Sequence, residues 1–318
     1  MEWLQFVEAR ELLARYLPKT RLVRARSLEE NPEQKICLKL ESEMPTGSFK
    51  VRGAIYALSV HERREPGGVR EVVASSTGNH GAAVAYAAQL LGWKARIFLP
   101  EKCNPVKRQN IARLGAEIVE KGALDLTGAF EGATEYSRAN GAFFLNDATD
   151  PDLPAGPGTI ACEILDEQPD LRAIYVPMGD TALIRGVAAA AKHLSPHVKL
   201  VGVQAERAPS YYLSWKDGRA IETETCDTIA DGLATRTPAD ANVKAIRELV
   251  DDVVLVSEEE MLDAIGRLLM DEHVLAEPAG AAATAALIKN KNRGEQSAAL
   301  LLTGANISRP VLQQSVHR

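Results

Sequence analysis

The chain has 318 residues, 46% of them hydrophobic and 25% charged, with a net charge of -6 at pH 7. That length supports one large core or two modest ones, and the balance is that of an ordinary water-soluble globular protein. The acidic balance excludes a nucleic-acid binder, which would carry a basic stripe, but not small anionic ligands, which local amides hold irrespective of net charge. Cys37, Cys103, Cys162 and Cys226 stand far apart without a CxxC pair, and Pro196 separates His193 from His197 with no third ligand nearby. These features predict reduced thiols in a cytoplasm rather than a disulfide frame or a zinc site. No apolar run approaches ~18 residues, so no membrane span is expected.

Along the chain, Met1 to Leu17 mixes Glu8, Arg10, Glu11 and Arg15 with apolar residues at helical spacing, an amphipathic helix rather than a signal peptide. Strand-like runs follow at 36–40, 71–74, 95–99, 116–119, 173–176, 199–203, 252–256 and 298–302. Helix-like stretches at 82–91, 105–114, 183–194 and 261–271 fall between them. Strand–helix alternation of this kind predicts an α/β fold with mainly parallel sheet. Ser257-Glu258-Glu259-Glu260 is a capping box opening one helix, so its charge run needs no functional reading. Gly68 to Asp147 holds a compact run of strand–helix pairs that reads as a smaller inserted domain.

Four short stretches carry the chemistry. Pro45-Thr46-Gly47-Ser48-Phe49-Lys50 places a lysine after a strand and at the mouth of a helix. Such an amine is either a helix-start charge or a Schiff-base former, and the second role requires a desolvated, deprotonated nitrogen although a free lysine titrates near ~10.4. Ser75-Ser76-Thr77-Gly78-Asn79-His80-Gly81 joins a strand to a helix through small residues. It is either a common turn capped by Thr77 or a carboxylate site made of backbone N–H groups at the positive end of a helix dipole. Val176-Pro177-Met178-Gly179-Asp180-Thr181-Ala182-Leu183 repeats the strand-to-helix form, and Leu301-Leu302-Thr303-Gly304-Ala305-Asn306 closes the last strand.

Together, and in this order, the stretches resemble the fold-type II pyridoxal-phosphate (PLP) enzymes, which include serine/threonine dehydratases, serine racemases, threonine synthases and cysteine synthases. The resemblance covers nearly the whole chain and implies a two-lobed, tryptophan synthase beta-like α/β fold. Residues 1–67 and 148–318 would form the large PLP-binding lobe and 68–147 a small mobile lobe that closes over the cofactor. It also implies that Lys50 forms the Schiff base with pyridoxal 5'-phosphate and, once freed, takes the substrate α-proton. For that reason Lys50 ranks above His80, the tempting base by residue type. Asn79 is assigned to the pyridine 3'-oxygen, Thr303 to the ring nitrogen, and Ser76, Thr77, Gly78 and His80 to the substrate carboxylate pocket. Thr77 also stands where racemases carry a catalytic serine.

The phosphate would be held by Gly179, Asp180, Thr181, Ala182 and Leu183, where typical dehydratases have four glycines forming a nest of N–H groups. Only Gly179 is kept here. Asp180 would repel a phosphate, so it is expected to turn away as an N-cap or to pair with Arg185, with Thr181 donating in its place. Glu277-Pro278-Ala279-Gly280-Ala281 and Ala230-Asp231-Gly232-Leu233-Ala234 match segments of the dehydratase branch. Gln204 and Ser210 replace the two carboxylates of the divalent-cation site found in serine racemases and some dehydratases, so no metal is expected and Glu206 reads as a solvated charge. No C-terminal regulatory domain of the kind some biosynthetic threonine dehydratases carry is expected after the last strand.

The resemblance thus implies a lyase that converts a β-hydroxy amino acid such as L-threonine or L-serine to a 2-oxo acid and ammonia. Racemisation, a threonine synthase-like β-replacement and a non-catalytic PLP- or amino-acid-binding scaffold are the alternatives. A cytoplasmic homodimer with no nucleic-acid or membrane partner is expected. The segment Pro209 to Trp215 is either a substrate-gating loop or an interface.

Overall fold

The computed structural model describes residues 2–76, 78–101, 105–120, 126–290 and 296–317. The strands are β1 (Leu22–Arg24), β2 (Lys35–Leu40), β3 (Glu71–Ser75), β4 (Lys94–Phe98), β5 (Glu117–Val119), β6 (Phe143–Phe144), β7 (Ala173–Pro177), β8 (Lys199–Ala205), β9 (Asp252–Val256) and β10 (Ser297–Leu302). The helices are α1 (Trp3–Leu13), α2 (Lys50–Arg64), α3 (Asn79–Leu91), α4 (Pro105–Arg113), α5 (Leu126–Asn140), α6 (Ala155–Glu167), α7 (Ala182–Leu194), α8 (Ser210–Asp217), α9 (Asp240–Leu249), α10 (Glu258–Met270), α11 (Pro278–Lys289) and α12 (Arg309–Val316).

The strands form two sheets, ordered β1-β2-β10-β7-β8-β9 and β5-β4-β3-β6. All pairings among these strands are parallel except that of β1 with β2. The fold is therefore the expected α/β arrangement of mainly parallel sheets flanked by helices. Central strands of such a sheet are buried on both faces, which is why β7 and β10 are almost wholly apolar. Their side chains divide by the two-residue period. Ile174, Val176, Ala299 and Leu301 face a core built with α1, α6, α7 and α9, while Tyr175, Ala298, Leu300 and Leu302 face α10 and α11. In the smaller sheet, Val72, Ala74 and Ile97 pack under α2 and α3, and Val73 and Phe98 under α5.

Two short strands, β1 and β6, are absent from the sequence reading. The segment 209–215 is largely helix α8, with Tyr211 buried. The capping box at Ser257 forms as expected. Glu206 is not merely solvated: Lys289 Nζ donates to it and to Glu260 at 3.0 Å each. Cys37, Cys162 and Cys226 are free thiols, whereas Cys103 lies outside the described residues.

A buried charge cluster fixes the start of α2. Arg52, 2% exposed, donates to Glu41 at 2.8 Å through Nε and to Glu163 on α6 at 2.6 Å through Nη1. Lys39 of β2 reaches Glu163 at 2.5 Å, and the Thr20 hydroxyl donates to Glu41 at 2.7 Å. Burial opposes the Glu163 charge, but the Arg52 and Lys39 cations outweigh it and hold its pKa below the ordinary value. β2, α2 and α6 are thereby tied together two residues beyond Lys50.

Candidate active site

Lys50 is carried by a turn stitched to the far end of the chain. Gly47 takes φ +69°, a conformation that suits glycine, and a Cβ there would also press on the Asn306 amide. The Phe49 amide donates to the Thr303 carbonyl at 3.0 Å and the Ala305 amide to the Gly47 carbonyl at 2.9 Å. Asn306 Nδ2 adds a bond to the Thr46 carbonyl at 2.9 Å. The lysine is thus aimed by backbone contacts between the ends of β2 and β10 into a cleft between the two sheets.

That cleft is lined by Lys50, Ser76, Gly78, Asn79, His80, Gly179, Asp180, Thr181, Ala182, Leu183 and Thr303, together with Asp147, Asp231, Gly232 and Glu277. The residues assigned from sequence to the cofactor and the substrate carboxylate therefore meet there, except Thr77, which lies outside the described residues. Clefts at the carboxyl ends of parallel strands are where open α/β sheets bind ligands.

The state of Lys50 differs from the expectation of a deprotonated amine. Burial would push its pKa down, but Asp147 sits 2.8 Å away, with Asp180 and Glu277 behind it, and the balance is raised. Asp147 in turn would be raised by burial, yet Lys50 holds it well below the usual carboxylate range. In this structure the lysine is an ammonium in an ion pair. The sequence reading missed Asp147. Its only signal is a carboxylate just past a short apolar strand, 97 residues from Lys50.

Asn79 is fixed from both sides of its amide. Nδ2 donates to Glu277 Oε1 at 2.6 Å, and Oδ1 accepts from Asn306 Nδ2 at 2.7 Å. His80 is buried, and burial lowers its pKa despite the nearby Asp147 charge, so it is neutral. With Nε2 2.9 Å from the Leu145 carbonyl, the ring proton sits there and Nδ1 is left as a buried acceptor without a partner among the described residues.

The helix α7 loop departs from the expectation for Asp180. Asp180 neither caps the helix nor pairs with Arg185: its Oδ1 accepts from the Thr235 hydroxyl at 3.0 Å, and the N-cap is Thr181. Arg185 instead reaches back to Thr181 Oγ1 at 3.2 Å and the Ala148 carbonyl at 3.1 Å. Burial, with the Asp147 charge added, pushes the Asp180 carboxyl up to about 6. Thr181 has φ +69°, a left-handed conformation that costs a β-branched residue roughly 1–3 kcal/mol unless its surroundings impose it. Gly179 is required because a Cβ would collide with the Gly232 carbonyl.

Helix α7 has no side-chain cap on its first turn, nor has α3, so the free N–H groups of both open toward the cleft. Gln204 and Ser210 are committed elsewhere: Gln204 Oε1 accepts from the Tyr212 amide at 2.8 Å, and Ser210 Oγ donates to the Thr235 carbonyl at 2.6 Å.

A half-buried lysine, two uncapped helix N-termini and a hydroxyl around one cleft of a mainly parallel α/β fold define a site for a phosphorylated carbonyl cofactor. Comparison with known proteins agrees: a family model described as pyridoxal-phosphate dependent enzyme matches residues 13–304, and the chain belongs to that family. It is 37% identical over 314 residues to an L-threonine ammonia-lyase of Thermotoga maritima, covering 98% of this chain and 77% of that protein. It is 34% identical over 285 residues to the L-threonine dehydratase catabolic TdcB of Escherichia coli K12, covering 90% and 86%. Among solved structures, maize serine racemase superposes with a TM-score of 0.91 at 28% identity, covering 98% of this chain and 96% of that one. The T.th. threonine deaminase does so with 0.90 at 32%, covering 97% and 99%.

The donor set fits pyridoxal phosphate. An amine suits its aldehyde, the α7 amides its phosphate, the Asn79 amide its ring oxygen and the Thr303 hydroxyl its ring nitrogen. Asp180 is the one discordant group, being ionised above about pH 6 beside the α7 amides. Asp180→Asn is therefore expected to tighten PLP binding at pH 8. Thr181→Val is expected to weaken it by one charge-assisted hydrogen bond, about 1.5–3 kcal/mol or roughly tenfold and more. Titrations with PLP and with pyridoxal separate the phosphate contribution: pyridoxal binding stays nearly constant in both variants if these residues act on the phosphate.

Proposed function

We propose that the protein is a PLP-dependent ammonia-lyase that converts a β-hydroxy amino acid of the threonine/serine type to a 2-oxo acid and ammonia. The observation that carries this reading is the convergence of the Lys50 amine, the α3 and α7 N-termini and Thr303 on one cleft. The threonine ammonia-lyase and dehydratase names of the relatives support the same substrate class.

When bound, PLP supplies a carbonyl carbon for a covalent link to an amine and a conjugated ring that accepts the electron pair left at the substrate α-carbon. Lys50 Nζ would hold the cofactor through that link and would be the base that takes the substrate α-proton. The free amides of α3, with Ser76 and Gly78, bind the substrate carboxylate, and we assign Thr77 to the same pocket. Asn79, fixed between Glu277 and Asn306, presents its amide to the ring oxygen. Thr303 would offer the ring nitrogen a hydroxyl, which does not hold it protonated as a carboxylate would. That favours loss of a β-leaving group over chemistry needing a long-lived carbanion. His80, neutral and bonded to Leu145, shapes the pocket and excludes water rather than acting as the base. Gly179, Asp180, Thr181, Ala182 and Leu183 form the phosphate loop, in which Thr181 and the α7 amides are the donors.

The same proposal takes 68–147 as a small lobe moving against 1–67 and 148–318, consistent with their separate sheets. It also includes a cytoplasmic homodimer. The free thiols support a reducing compartment, and the exposed Met270, Leu275 and Val316 favour a covered face near α10 and α12. Among the described residues no helix is long and apolar enough to cross a membrane.

The test is turnover of L- and D-serine and L- and D-threonine by the PLP-loaded protein, reading 2-oxo acid, ammonia and chirality together. Equal amounts of oxo acid and ammonia from an L-substrate are expected. Racemisation without oxo acid would replace this reading by the racemase one.

A further inference from the structure

We propose that Asp147 is a further active-site residue, the counter-ion that holds the Lys50 amine protonated and so sets the pH at which that amine becomes a nucleophile. The inference rests on the functional reading above and adds a residue that it does not contain. Its basis is the 2.8 Å contact between Asp147 Oδ2 and Lys50 Nζ inside the cleft, with side chains only 23% and 17% exposed. The two groups come from opposite sheets. Lys50 opens α2 after β2, and Asp147 follows β6 of the smaller sheet.

The other charged or titratable groups around the pair are Asp180 before α7, Glu277 at the start of α11 and His80 on α3, and Asp231 lines the same cleft. An oxygen of Asp180 is engaged by Thr235 and one of Glu277 by Asn79. His80 is neutral, and its ring proton is given to the Leu145 carbonyl. Asp147, by contrast, has an oxygen directly on the amine.

An amine attacks an aldehyde only through its lone pair. Lys50 must therefore release a proton to solvent, its lone pair forms the C–N bond, and the carbonyl oxygen leaves as water. Asp147 slows that step at neutral pH by favouring the ammonium. The same preference strengthens Lys50 as a base, because the proton it takes from a substrate α-carbon arrives beside a carboxylate. One contact thus trades speed of cofactor capture for strength of proton abstraction.

The experiment uses cofactor-free full-length protein and measures the rate of PLP capture at Lys50, trapped with borohydride and mapped by peptide, between about pH 6 and about pH 10. In the natural protein the rate should climb across the whole range. In Asp147→Asn the profile should move down by about 1–3 pH units, with capture at neutral pH faster by roughly tenfold or more. An unmoved profile, or one moved up, overturns the proposal. Should Asp147→Asn fail to fold, trace acylation of Lys50 in the natural protein decides. The titration is carried to about pH 12: a midpoint at or below the ~10.4 of a free lysine overturns the assignment, and one displaced above it supports it. If the natural protein captures no PLP at Lys50 at any pH, the functional reading fails, and the acylation profile alone judges the ion pair.

Discussion

Lys50→Ala is expected to lower turnover of the PLP-loaded protein by about 10³-fold or more, since it removes both the covalent anchor and the base. Borohydride reduction followed by peptide mapping should place the pyridoxyl group of the natural protein on Lys50, and the variant should take none. Lys50→Arg is the sharper control. A guanidinium keeps the charge facing Asp147, so folding should be preserved, yet it does not deprotonate near neutrality and cannot act as nucleophile or base. Equal loss in both variants with unchanged melting identifies chemistry rather than stability. A pyridoxyl label on any other lysine would end the functional reading.

The second large effect is on stability. Arg52→Met is expected to cost about 3–5 kcal/mol, because it leaves Glu41, fully buried, without its guanidinium partner. That is a large share of the ~5–15 kcal/mol by which whole domains are stable. Denaturant titration should move the midpoint to lower concentration with an unchanged slope. The exposed pair Arg10–Asp166, at 41% and 44% exposure, is the contrast: Arg10→Met should change stability by less than about 1 kcal/mol. Comparable losses in the two variants would show that the cluster beneath α2 is no more than a collection of surface charges. Because Arg52 lies one half-turn past Lys50, its loss should also weaken cofactor binding, which an effect confined to the distant core would not do.

Much of the fold was legible because central parallel strands are apolar on both faces, and the Ser257 capping box marks where α10 begins. Leu200 to Val203 and Ala298 to Leu302 are continuous apolar runs for that reason. The strands that escaped, Leu22–Arg24 and Phe143–Phe144, have 3 and 2 residues, too few for any period to emerge. Helix α3 begins at Asn79 rather than Ala82, since its first turn is composed for the cleft and not for the core. In the site, the groups borne by contiguous motifs were readable from sequence: Lys50, Asn79 and the loop before α7. Asp147 was not, because nothing local distinguishes it and its meaning lies entirely in what stands across the cleft. The same holds for Asp180, whose partner Thr235 is 55 residues away.

The position of β10 between β2 and β7 has a consequence for biosynthesis. The turn that aims Lys50 is held by Asn306, which is 260 residues from its partner Thr46. At ordinary elongation speeds the ribosome needs on the order of 10–50 s to cover that distance. During that interval β2 has β1 beside it but not β10, and the lysine has emerged without the residues that orient it. Cofactor capture therefore belongs after translation, and a chain stopped short of Ser297, where β10 begins, carries the lysine but no site.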